Sequence, residues 1–207
     1  MRLDESSLQS AVASLSSPGT GKFKTEKALI ALSETEPELL EPLFDELAKL
    51  LESDNSIIKW GAFQIMANLA CVSREDRVVE ILPRYLAPIP GPVMISAGVA
   101  IQGAAKIARC HKQHTPRIVQ AILQVESGTY KTEECRHIAI GHAITALGTM
   151  EAEVKQWPSV LEFVRRQTEN PRSGTRKKAT LFLKQNEAER PVQQNRRTTG
   201  AVGPHRG

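Results

Sequence analysis

A stack of paired α-helices, an all-α solenoid, is the fold class that the sequence predicts, and three observations carry the prediction. Aromatic residues make up only 4% of the 207 residues, while Ala, Leu and Ile are plentiful. That composition suits close helix-on-helix packing better than a sheet rich in Tyr, Thr and Val. Apolar residues recur with helical spacing in about ten segments divided by proline, glycine and polar breaks. One pair of positions also recurs in register: Ala28/Leu32, Ile65/Leu69, Gly103/Ile107, Ala143/Leu147 and Ala179/Leu183, at successive offsets of 37, 38, 40 and 36 residues.

In chain order the helical segments are 3–16, 20–33, 37–52, 55–72, 75–87, 92–109, 115–126, 132–148, 153–168 and 172–187. Pro37, Pro92, Pro116 and Pro171 open four of them. A helix tolerates proline there because its first N–H groups have no intrahelical acceptor. In segment 37–52, Leu39, Leu40, Leu43, Leu47, Leu50 and Leu51 share one face, and Glu38, Glu41, Asp45, Glu46 and Lys49 lie off it. The recurring pairs belong to the second helix of each repeat. Each pair shares a face, since four residues make close to one turn. Its first member is small in four of five cases, which lets a neighbouring helix approach. A lone helix pair of this length cannot bury its apolar faces, whereas stacked pairs share a continuous core.

Three stretches carry a family likeness: Ile58-Lys59-Trp60-Gly61-Ala62-Phe63 with Ile65 and Leu69; Ala97-Gly98-Val99-Ala100 with Gly103, Ala104 and Ile107; and Arg136-His137-Ile138-Ala139-Ile140-Gly141 with Ala143 and Leu147. In these the chain resembles the HEAT-repeat family in its broad HEAT-like or ARM-like form, over residues 3–187. The resemblance implies a right-handed superhelix of about five antiparallel helix pairs in a single domain, 1–187, with second helices lining the concave face. The motif is loose and bears on architecture far more than on function. Residues 188–207, rich in Gln, Asn, Arg, Thr and Gly, are expected to form a disordered basic tail.

One residue before each anchor pair stand Lys27, Gln64, Gln102, His142 and Lys178, all polar. Adjacent helical positions diverge by about 100°, so this column leaves the core as the anchor column enters it. It is expected to form a polar ladder on the concave face, extended by Asn68, Lys106 and Arg109. The bland alternative is that exposed helix positions are simply polar.

Charge is unevenly spread. Residues 1–56 carry a net −6 and residues 57–207 a net +10 within a total of +4. Arg165, Arg166, Arg172, Arg176, Lys177, Lys178 and Lys184 form a candidate nucleic-acid patch. HEAT-like alkylpurine DNA glycosylases hold DNA on this architecture, but their Asp in an aromatic-lined groove has no counterpart here. The acidic candidates Asp4, Asp45, Asp54 and Asp76 all miss second-helix interiors, and Trp60 and Trp157 are the only tryptophans.

Other chemistries have weaker support. Cys110-His111-Lys112-Gln113-His114 and Cys135-Arg136-His137 contain metal-ligand residue types without finger spacing. Cys110 is expected to pack as a small hydrophobe, with His111 and His114 capping the end of its helix. Cys135 and His142 share a face but stand about 10 Å apart along the axis, too far for a nucleophile and its base. Glu133 and Glu134 suit a helix N-terminus. Ser17-Pro18-Gly19-Thr20-Gly21-Lys22 lacks the spacing of a phosphate loop. No catalytic residue, metal or cofactor is therefore expected.

Cys71, Cys110 and Cys135 are odd in number and widely spaced, which predicts reduced thiols and a cytoplasmic protein. No signal peptide is expected at the start. The charge-free run 85–105 is interrupted by Pro88, Pro90 and Pro92 and reads as a buried helix, not a membrane span. The function expected is a non-enzymatic scaffold that binds a macromolecule, a protein first and nucleic acid second, with no membrane or small-molecule partner.

Overall fold

Why helices begin where they do is visible at their first residues. Asn55 Oδ1 accepts the N–H groups of Ile57 (3.1 Å) and Ile58 (3.2 Å), and Thr132 Oγ1 accepts that of Cys135 (3.1 Å). Each satisfies donors that a helix start leaves open. The computed structural model describes residues 5–188 and, within them, only helices and turns. The expected tail, 188–207, lies outside the described residues except for Ala188.

Five helix pairs follow one another. They are α1 (Glu5–Ser14) with α2 (Lys22–Thr35), α3 (Phe44–Lys49) with α4 (Ser56–Leu69), and α5 (Glu75–Leu86) with α6 (Met94–Cys110). Next come α7 (Thr115–Leu123) with α8 (Glu133–Gly148) and, after the short α9 (Ala152–Lys155), α10 (Pro158–Arg166) with α11 (Ser173–Ala188). The second helices α2, α4, α6, α8 and α11 each pack against the next, forming one layer of an all-α solenoid, and the first helices form the other. A single apolar core runs between the layers from Leu8 to Phe182. No helix of the described residues is long and apolar enough to cross a membrane.

Close approach needs small residues, as at Gly103. Tyr85 is fully buried, meets Phe63 edge-to-face at 4.9 Å, and donates to Phe63 O at 2.7 Å. Burial holds its phenol proton far above the usual tyrosine range. A Cβ on Gly103 would stand 1.8 Å from the Tyr85 hydroxyl.

The structure corrects several expectations. Segment 37–52 is not one helix. Pro42 lacks the N–H that a helix interior needs, so two single-turn 3-10 helices (Pro37–Leu39 and Glu41–Leu43) precede α3. Leu39 ends up 40% exposed. Segment 153–168 divides at Trp157, which Pro158 holds extended (ψ 134°). In the first repeat the register is one residue late: Ala28 is exposed, and Glu26, Leu29 and Ser33 are buried.

The cysteine expectation also fails. Cys71 and Cys110 form a disulfide, and Cys135 alone is free. Their separation of 39 residues is one repeat step, which sets the ends of α4 and α6 side by side with Cα atoms 5.2 Å apart. Cys110 is therefore neither a small core hydrophobe nor a thiolate. His111 caps its own helix through its backbone N–H, which donates to Ile107 O at 2.8 Å, and reaches the neighbouring one with its side chain: its Nε2 lies 2.5 Å from Ala70 O at the end of α4. A carbonyl only accepts, so Nε2 carries the proton. His114 stands 3.6 Å from the Glu75 carboxylate.

Candidate interaction surface on the second helices

The outward positions of α6 are Ile95, Gln102 and Arg109, seven residues apart and therefore on one face. On α4 the corresponding exposed pair is Ile57 and Gln64. Neighbouring helices close in on either side of these rows. Gly98 faces α8, where a Cβ would come within 3.2 Å of the His142 ring. Gly61 faces α2, where a Cβ would come within 2.4 Å of the Glu26 carboxyl. No described donor reaches that buried carboxyl. Burial raises its pKa, and Lys27 opposes the rise only in part.

The expected ladder is partly assembled. Gln64 and Gln102 are exposed as the register requires, and Lys27 is exposed on α2. Asn68 is not a surface residue: it is buried, donating to Ser33 Oγ at 2.7 Å and accepting from Lys106 Nζ at 2.6 Å. Three second helices are thus joined by one polar chain. His142 turns toward α6, with its Nδ1 3.4 Å from Gln102 Nε2, so Thr145 takes the outward position on α8. Burial and the nearby charges of Lys178 and Arg172 depress the His142 pKa. Arg109 donates to Thr149 O at 3.4 Å, and Lys178 to Gly141 O at 3.1 Å. Burial, with Arg172, also lowers the Lys178 pKa.

The candidate nucleic-acid patch is divided. Arg166 makes a paired contact with Glu126 (2.7 Å), and Arg172 bonds Glu134 (2.8 Å). Arg176 donates to the carbonyls of Asn170 (2.6 Å) and Pro171 (2.7 Å). Arg165 is exposed on α10, in the first-helix layer. Arg176, Lys177 and Lys184 together line a depression of about 400 Å³ beside Leu181 on α11. Only Lys178 belongs both to this set and to the ladder. The cations therefore do not merge into one stripe of the kind that tracks a phosphate backbone.

Several participants escaped sequence reasoning. Trp60 Nε1 donates to Ser96 Oγ at 3.0 Å across α4 and α6, and Ile57 and Ile95 are each 45% exposed. Their spacing of one repeat was readable; their exposure was not, because isoleucine near a helix start reads as core. The Cys71–Cys110 pair carried a usable signal in its one-repeat separation.

No family model matches the chain, and no curated protein matches its sequence. Solved structures do. A designed armadillo repeat protein in complex with the peptide (KR)4 is similar with a TM-score of 0.55 at 15% identity, over 87% of this chain and 82% of that one. An engineered protein is similar with 0.53 at 16%, over 85% and 77%. Computationally designed armadillo repeat proteins for modular peptide recognition are similar with 0.52 at 15%, over 86% and 82%. These likenesses establish the fold as an armadillo-like α-solenoid.

Proposed function

We infer that the chain is a non-enzymatic repeat scaffold that holds a protein segment along its second-helix face, the face that is concave in HEAT-like solenoids. One observation carries this reading. Ile57 and Gln64 on α4 stand outward in the same register as Ile95 and Gln102 on α6, with Arg109 one step further along, so a single extended segment can meet two neighbouring repeats at once. Two of the similar designed proteins are described by the peptides they bind or recognise, which supports a peptide as the class of partner. Solenoids use such multi-repeat surfaces because each repeat adds contacts in the same orientation. The cytoplasmic location expected from reduced thiols loses that ground with the Cys71–Cys110 bond.

Site-specific photocrosslinking in cells tests the reading. A benzophenone side chain in place of Gln64 or Gln102 is expected to trap a discrete protein, while one at Gln120, exposed on α7, is expected to trap none. Crosslinks from Gln120 alone would place the partner on the first helices and contradict the proposal.

A further inference from the structure

Three cations of the second helices, Lys106, Arg109 and Lys178, have no carboxylate partner, whereas several of the first-helix layer do. Toward the first helices, Arg77 pairs with Glu41 at 2.9 Å, Arg84 with Glu52 at 3.6 Å and Arg166 with Glu126 at 2.7 Å. On the second helices, Lys106, Arg109 and Lys178 spend their donors on neutral oxygens, those of Asn68, Thr149 and Gly141. Among the described residues no carboxylate forms an ion pair with any of the three. Elsewhere on the second-helix side, Arg172 pairs with Glu134, and Arg136 pairs with Glu133 within α8. A cation held in place by neutral acceptors keeps its charge available to an incoming anion and loses little rotamer freedom on binding it.

Beside these cations lies an apolar row. Ile57 and Ile95 occur at equivalent places on α4 and α6, with the half-buried Trp60 one turn from Ile57. Trp60 is fixed by its bond to Ser96. Clustered exposed apolar side chains mark contact surfaces more reliably than scattered ones do. On α6, Ile95 and Lys106 are eleven residues apart, about 16 Å along the axis at 1.5 Å per residue.

We propose that this face takes an acidic peptide segment carrying apolar side chains, the apolar groups seated on Ile57, Trp60 and Ile95 and the carboxylates on Lys106, Arg109 and Lys178. The proposal rests on the scaffold reading and narrows it to one chemistry of partner. Charge complementarity sets the choice, because a basic segment would meet three cations that no carboxylate pairs, while the nearby carboxylates Glu133 and Glu134 are already paired with Arg136 and Arg172.

The test is selection from a displayed random dodecapeptide library on the full chain, with affinities then measured by anisotropy. The comparison proteins are the Ile57→Ser/Ile95→Ser and Lys106→Gln/Arg109→Gln variants, each checked for an unchanged helical spectrum. Enrichment of peptides that combine Asp or Glu with Leu, Ile or Phe is expected, with binding weakened roughly tenfold or more by either variant. Should Lys106→Gln/Arg109→Gln fail to fold, Lys178→Gln and the salt dependence of wild-type binding carry the same test, both expected to weaken it. Enriched basic peptides, or acidic ones that bind all variants alike, overturn the inference while leaving the scaffold reading in place. So does duplex DNA that binds more tightly than the selected peptides. No enrichment on any protein removes both readings.

Discussion

Lys106 Nζ reaches Asn68 Oδ1 at 2.6 Å from one second helix to the next, and Asn68 in turn donates to Ser33 on a third. A buried amide at this junction fixes the relative height of α2, α4 and α6. Replacing it leaves a hydroxyl and an ammonium facing a gap, and an unsatisfied buried polar group costs about 1–3 kcal/mol. Asn68→Ala is therefore expected to lower the urea midpoint by that amount of stability. The double variant Asn68→Ala/Lys106→Met is expected to recover part of the loss. Additive losses in the two single variants would show that the contact carries no coupling.

One turn beyond that junction, the Cys71–Cys110 bond ties the ends of α4 and α6, and Cys110 is exposed. In a chain-entropy account, a bridge closing a loop of this size restricts the unfolded state by roughly 4 kcal/mol. Reduction with dithiothreitol is expected to proceed without denaturant and to lower the Tm by several degrees. Intact-mass analysis after alkylation should count one reactive thiol before reduction and three after it. Three reactive thiols before reduction would contradict the bridge.

Glu26 is buried against Gly61 with its pKa raised by burial. The folded state thus holds this proton more tightly than the unfolded chain does. Its contribution is most favourable below the ordinary carboxylate pKa and is lost as pH rises through the raised value. At pH 7 the group is a cost, so Glu26→Gln is expected to raise the Tm. The gain should shrink as pH is lowered toward 4. An equal shift at both pH values would remove the ionisation argument.

His142 has the opposite sense. Its folded pKa lies below 6.5 because burial and the nearby cations Lys178 and Arg172 disfavour its charged form. The unfolded chain takes up the proton first as pH falls. Stability is then complete above 6.5 and declines as pH drops from there through the lowered folded value. His142→Gln is expected to flatten this part of the stability profile, measured by urea titration across that window. A profile unchanged by the substitution would show that His142 does not set it.

The repeat architecture was legible because stacking demands small or apolar residues at fixed intervals, and the column from Ile65 to Ala179 records that demand. The first repeat was misread at Ala28 because Ala28/Leu32 and Leu29/Ser33 fit the i,i+4 pattern about equally well, and the structure buries the second pair more deeply. Proline explains the other breaks: Pro42 and Pro158 interrupt segments whose apolar spacing is continuous. The candidate surface was half legible. Gln64 and Gln102 followed from the register. The burial of Asn68 and the inward turn of His142 depend on the tilt between repeats, which periodicity does not encode. Ile57 and Ile95 were hidden because their chemistry is that of core residues and only their position makes them surface.

Hydrogen–deuterium exchange with and without a bound selected peptide tests the central claim most directly. The account expects slowed exchange in α4, α6 and α8, on segments including Ile57, Gln102 and Thr145, with α5, α7 and α10 unchanged. Protection concentrated on α5, α7 and α10 would place binding on the first-helix layer and contradict it.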